Sequence, residues 1–136
     1  MEALGRLFNL VPTADGVEVS VRDCSGVTFV GVGADTYTVQ EATTAAGGGA
    51  QNLPVITRFY EAASAAGANA WVLTEQAAGA AVVADQPVCC FHVDVKSLSD
   101  GFDYLRCTST AAGLVIAIAH DLNVQRDPAN LPALAV

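Results

Sequence analysis

The stretch VCCFHVDV at 88–95 decides how the chain is read, because it alternates over its whole length. On an extended backbone Cys89, Phe91, Val93 and Val95 fall on one side, and Cys90, His92, Asp94 and Lys96 on the other. A period of two with an apolar side predicts a strand half buried against a core. Upstream, VEVSVR (17–22) sets Val17, Val19 and Val21 against Glu18, Ser20 and Arg22 in the same way. DCSG (23–26) has Asp at the first turn position and Gly at the last, and VTFVGV (27–32) follows, so 17–32 is expected as a β-hairpin. A second turn at 33–35 leads into TYTVQEA (36–42), extending the hairpin to a three-stranded antiparallel meander. Downstream, AWVLTEQ (70–76) and AAVVA (80–84) read as strands. SLSDGFD (97–103) reads as a loop with an Asp-Gly turn, and YLRCTST (104–110) is expected to pair with GLVIAIAHDL (113–122) across Ala111 and Ala112.

Two segments carry helical spacing. Residues 2–10 group Leu4, Leu7, Phe8 and Val11 on one side of a short helix, which needs support because isolated helices of this length are marginal in water. Residues 52–67 place Asn52 and Pro54 at a helix start and Gly67 at its end, with Val55, Ile56, Phe59, Tyr60 and Ala63 at helical intervals, and a strand is the rival reading. TTAAGGGAQ (43–51) is a flexible loop, and it lacks the Lys and spacing of a phosphate-binding loop. The expected fold is therefore mainly β, an antiparallel β-sandwich or barrel-like domain with one or two short helices and extended termini. It forms one domain over 1–136, with an N-terminal arm or short helix (1–16), a β core (17–122) and an extended tail (123–136) bearing Pro128 and Pro132.

The 136 residues include fourteen acids and six bases, for a net charge of −8. Such a surface repels phosphate backbones and anionic lipid, so nucleic acid and membrane are not expected partners. Only 15% of residues are charged while 52% are hydrophobic, which excludes intrinsic disorder and leaves an exterior rich in small side chains. Small, weakly polar residues lose little entropy when a protein partner covers them. No window reaches the ~18 apolar residues of a membrane span and MEALGRLFNL lacks a leader pattern, so residence in a cytosol, at least at first, is expected.

Chemistry is sparse. Cys24, Cys89, Cys90 and Cys107 lack C-x-x-C spacing and read as free, mostly buried thiols. Cys90, His92 and Asp94 share a strand face, but same-face neighbours lie about 7 Å apart, too far to hold one ion without a bend. His120 with Asp121 sits on another expected strand, and either histidine reads as a polar sheet residue. There is no G-x-S-x-G elbow, and Asp100 and Asp103 flank a turn where Asp bonds its own backbone. Arg106, Asp121 and Arg126 read as surface ion-pair residues. No catalytic, cofactor-binding or metal-binding residue is assigned, and a non-enzymatic role is expected.

SGVTFV (25–30), TYTVQEAT (36–43) followed by GGGAQNLPVI (47–56), FYEAASAAGANAWVLTEQAA (59–78), FHVDVKSLSDGFDYLRCTST (91–110) and AHDLNVQRDPANLP (119–132) together resemble small virion structural proteins of tailed bacteriophages of high-GC hosts. Within that family the resemblance implies a capsid decoration, or cement, protein. It would bind the outside of the head at capsomer junctions, with the major capsid protein and copies of itself, in a trimer, as partners, and be assembled in the bacterial host cytoplasm. A head-to-tail connector or tail-tube component is the alternative, and a monomeric β-sandwich binding module comes third, since Trp71 is the only tryptophan. Contact arms are expected at Leu4, Leu7 and Phe8 and at Arg126, Asn130 and Leu131.

Overall fold

A computed structural model describes residues 2–3, 6–13, 15–111 and 114–123. The strands are β1 (Glu2–Ala3), β2 (Arg6–Thr13), β3 (Val19–Ser20), β4 (Gly26–Val32), β5 (Thr36–Ala42), β6 (Gln51–Asn52), β7 (Ile56–Ala62), β8 (Val72–Gly79), β9 (Ala81–Val83), β10 (Val88–Asp94), β11 (Tyr104–Ser109) and β12 (Leu114–His120). They build two antiparallel sheets. One has seven strands in the order β1-β2-β12-β4-β10-β7-β8, and the other runs β3-β11-β5-β6 with β9 also paired to β5. The fold is mainly β and sandwich-like, as expected.

Alternation places the core. Val27 and Phe29 of β4, Cys89, Phe91 and Val93 of β10, and Val115, Ala117 and Ala119 of β12 are buried, and they meet Tyr37, Val39, Leu105 and Cys107 from the smaller sheet in one apolar cluster. Phe29 and Phe91 are paired across β4 and β10, with ring centroids 5.7 Å apart. Gly31 points into the same interior, and the Tyr37 ring fills the space above it, 2.6 Å from where a Cβ would stand. The Tyr37 hydroxyl donates to the Gly33 carbonyl at 2.8 Å. Burial, with Cys89 and Asp35 nearby, pushes its pKa up to about 12.

The connections differ from expectation. The hairpin over 17–32 does not form, because β3 pairs with β11 while β4 pairs with β10 and β12 in the other sheet. Nor does the meander continue, since β5 lies opposite β4 across the core. The 104–110 and 113–122 segments are likewise partners of different sheets, β11 bonding β5 and β12 bonding β4 and β2. Alternation says that one side of a strand is buried but not by which sheet, and here the chain changes sheet at nearly every turn.

Both helices are overturned. Arg6–Thr13 is a strand whose backbone pairs with Val115–His120 of β12, so the edge of β12 recruits this segment into the sheet. Ile56–Ala62 is a strand between β10 and β8, the rival reading of that segment. Its Ile56, Phe59 and Ala62 are buried at intervals of three, which imitates a helix, and a register shift between Ile56 and Arg58 breaks the period of two over the first of those intervals. The Gln76 amide stitches the irregularity by donating to the carbonyls of Ile56 and Ala81, at 3.1 and 3.0 Å. Among the described residues the only helical element is a 3-10 turn at Val95–Ser97.

Side-chain caps hold the crossings between sheets. The Asp35 carboxylate accepts from the backbone N–H of Thr36, Thr110 and Ala111 and from the Thr110 hydroxyl, tying the β4–β5 crossing to the end of β11. The Thr110 hydroxyl is the main reason its pKa lies below the usual carboxylate value. Glu41, only 1% exposed, accepts from the Ser99 N–H and hydroxyl at 2.8 and 2.6 Å and from the Gln51 amide at 2.6 Å. Burial opposes its ionisation, but these donors outweigh it and hold the pKa below the ordinary value. Arg106 pairs with Glu18 at 3.1 Å and donates to Gln40 at 2.7 Å, a half-buried arrangement rather than the loose surface pair expected.

Candidate interaction surface and imidazole cluster

Among the described residues β8 forms one edge of the large sheet and pairs with β7 alone. Val72 and Leu73 point to opposite faces of β8, yet they are 64% and 45% exposed, so neither face is covered there. Trp71 and Tyr60 beside them are also exposed, and Tyr60 is the cross-strand partner of Leu73. The root of the hairpin is fixed by Glu61, which accepts from the backbone N–H of Asp85 and Gln86 at 2.8 and 3.2 Å. Beyond the root, residues 65–71 are exposed. Among the described residues β8 also ends its sheet, so the backbone groups along its outer edge have no strand partner. A two-sided apolar edge of this kind is what strand-to-strand association uses.

On the outer face of the large sheet, β12, β4 and β10 lie side by side. His120 is registered with Gly26, and His92 with Thr28 on the other flank of β4. The two imidazoles lean toward each other over Gly26 and stack with centroids 4.9 Å apart. A Cβ on Gly26 would stand 2.5 Å from one ring and 2.7 Å from the other, so only glycine allows this closure. His92 Nδ1 and His120 Nε2 are 3.2 Å apart, and Thr28 Oγ1 lies 3.4 and 3.3 Å from them. On their far sides His92 Nε2 meets Asp94 at 3.2 Å and His120 Nδ1 meets Asp121 at 3.1 Å. A groove of about 370 Å³ adjoins His92, lined also by Arg58, Tyr60 and Cys90.

Cys90, His92 and Asp94 share the outer face, as alternation requires, and among the described residues no group of three or more His, Cys, Asp and Glu side chains is arranged to hold a metal ion. The sequence reading missed that His92 and His120, 28 positions apart, converge across β4. No sequence signal pointed to this, because Gly26 reads as the last residue of a turn and only the observed pairing places β4 between β10 and β12. All four cysteines are free. Burial pushes the thiol of Cys24 up to about 11 and that of Cys89 up to about 12, with Cys107 higher still and Cys90 raised less.

Of the expected contact residues, Leu7 and Phe8 fall on β2, and the half-buried Phe8 is registered with His120. Leu4, Arg126, Asn130 and Leu131 lie outside the described residues. Tyr60, Trp71, Val72 and Leu73 escaped the sequence reading, although the unbroken run WVL at 71–73 is apolar on both sides of a strand. No helix among the described residues is long and apolar enough to cross a membrane. Comparison with family models, curated proteins and solved structures finds no match.

Proposed function

We propose that this protein is a non-enzymatic structural component of a tailed-phage virion, a decoration protein that binds the outside of the head at capsomer junctions and stabilises the shell. The observation that carries the reading is the β8 edge with its exposed Trp71, Val72 and Leu73. A strand edge that is apolar on both sides gains from a permanent protein partner, which covers backbone groups and side chains together. The low charge content supports the same reading, since few strongly hydrated groups are desolvated when such a surface is covered. The third support is the resemblance of the segments from 25 to 132 to virion proteins.

The partners in this reading are the major capsid protein and copies of this chain. Light scattering at two concentrations tests the self-association: a concentration-independent trimer is expected. A closed ring of higher order would move the assignment to a head-to-tail connector or tail-tube component. A strict monomer with no affinity for expanded heads would leave a β-sandwich binding module.

A further inference from the structure

We propose that His92, His120 and Thr28 form a binding site for one zinc-class divalent cation on the outer face of the large sheet, with Asp94 and Asp121 orienting the two imidazoles. The separations among His92 Nδ1, His120 Nε2 and Thr28 Oγ1 are 3.2, 3.3 and 3.4 Å, a nearly equilateral triangle. A tetrahedral zinc ion with ligands at about 2.0–2.1 Å has ligand-to-ligand edges of about 3.3 Å. The three donor atoms therefore already mark one face of such a tetrahedron, and the fourth corner is left for water or a partner's ligand.

The hydrogen-bond partners of the two rings favour a cation at this face. Carboxylates only accept, so Asp94 and Asp121 favour the tautomers that carry the ring N–H at His92 Nε2 and His120 Nδ1. The two nitrogens that face each other then present lone pairs, and the Thr28 hydroxyl has one hydrogen to share between them. A ligating histidine whose other N–H is held by a carboxylate is the usual arrangement around protein-bound zinc, where it fixes the tautomer and raises ligand basicity. Here both histidines have it. Asp121 adopts φ 51°, a left-handed conformation that Asp tolerates better than most residues. Gly26 supplies the floor on which the rings meet. Imidazole nitrogen with oxygen suits zinc, nickel or copper rather than calcium or magnesium. Cys90, on the same face and bordering the neighbouring groove, is not one of the three donors.

The test is calorimetric titration of the full chain with zinc chloride near neutral pH, with cobalt(II) absorption as a spectroscopic probe. One ion per chain is expected, giving a tetrahedral cobalt spectrum without a thiolate charge-transfer band and shifting the ring Cε1–H resonances of both histidines. His92→Ala and His120→Ala should each weaken binding by more than tenfold. Asp94→Asn and Asp121→Asn should weaken it by about tenfold, the effect expected of a carboxylate behind a ligating histidine. Cys90→Ser should leave it unchanged. Asp94 is half exposed, so its variant stays informative if a histidine variant folds poorly. Absence of uptake, unchanged affinity in His92→Ala, or loss of binding in Cys90→Ser would each overturn the site.

Discussion

The ring of Tyr37 in the smaller sheet lies directly on the Cα of Gly31 in the larger one, at a distance that excludes even a methyl group. Both residues are buried, and the contact joins β5 to β4, two strands consecutive in sequence but separated by the core. Gly31→Ala would force the ring and the sheet apart. Overpacking of a dense core costs about 1–3 kcal/mol, so a lower urea midpoint of that size is expected with little change in slope. A midpoint equal to wild type would mean that Tyr37 does not close over Gly31.

Glu41 provides a pH test. Its folded pKa is depressed, so its contribution is present above the unfolded glutamate value near 4.5 and is lost as pH falls through the folded value. Glu41→Gln turns an amide donor toward the Ser99 and Gln51 donors. It should cost about 2 kcal/mol at neutral pH, and the deficit should shrink in acid below the unfolded value. Denaturant melts of both proteins across acid pH measure this, and a pH-independent difference would remove the ionised carboxylate from the account.

Thiol chemistry distinguishes the faces of β10. Cys89 points into the core with its thiol raised to about 12, whereas Cys90 is only partly buried on the outer face. A disulfide reagent should label one group in the native protein and four after unfolding, and Cys90→Ser should abolish the native reaction. Fast native labelling of two or more thiols would contradict the burial of Cys24, Cys89 and Cys107.

The N-terminal segment bears on what an arm is. As β2 it covers the edge of β12, so deletion of residues 1–11 removes most of a paired strand rather than a free extension. The truncated protein is expected to be destabilised and prone to associate through the uncovered edge, read as a lower melting temperature and a raised, concentration-dependent mass. A truncation as stable and monodisperse as the parent would show that β2 is dispensable.

Sequence legibility followed the range of the forces involved. The inward residues of β10 and the alternation of β5 were readable, because the pleat assigns faces with no knowledge of the partner. Pairing was not, because the turn after Val32 looks the same whether β5 returns beside β4 or crosses the core. The strand at 56–62 was hidden because Ile56, Phe59 and Ala62 are buried at helix-like intervals, the first of them spanning a register shift. In the same way His92 and His120 carried no mutual signal until β4 lay between them, with Gly26 beneath their rings.

Co-sedimentation with expanded tailed-phage heads tests the proposed decoration role, comparing wild type with Val72→Lys/Leu73→Lys. Both side chains are largely exposed, so the fold should change by no more than about 0.5 kcal/mol per site. Wild type is expected to pellet with heads to a fixed stoichiometry while the variant, equally folded, remains in the supernatant. Wild type left in the supernatant, or a variant that pellets equally well, would contradict that role.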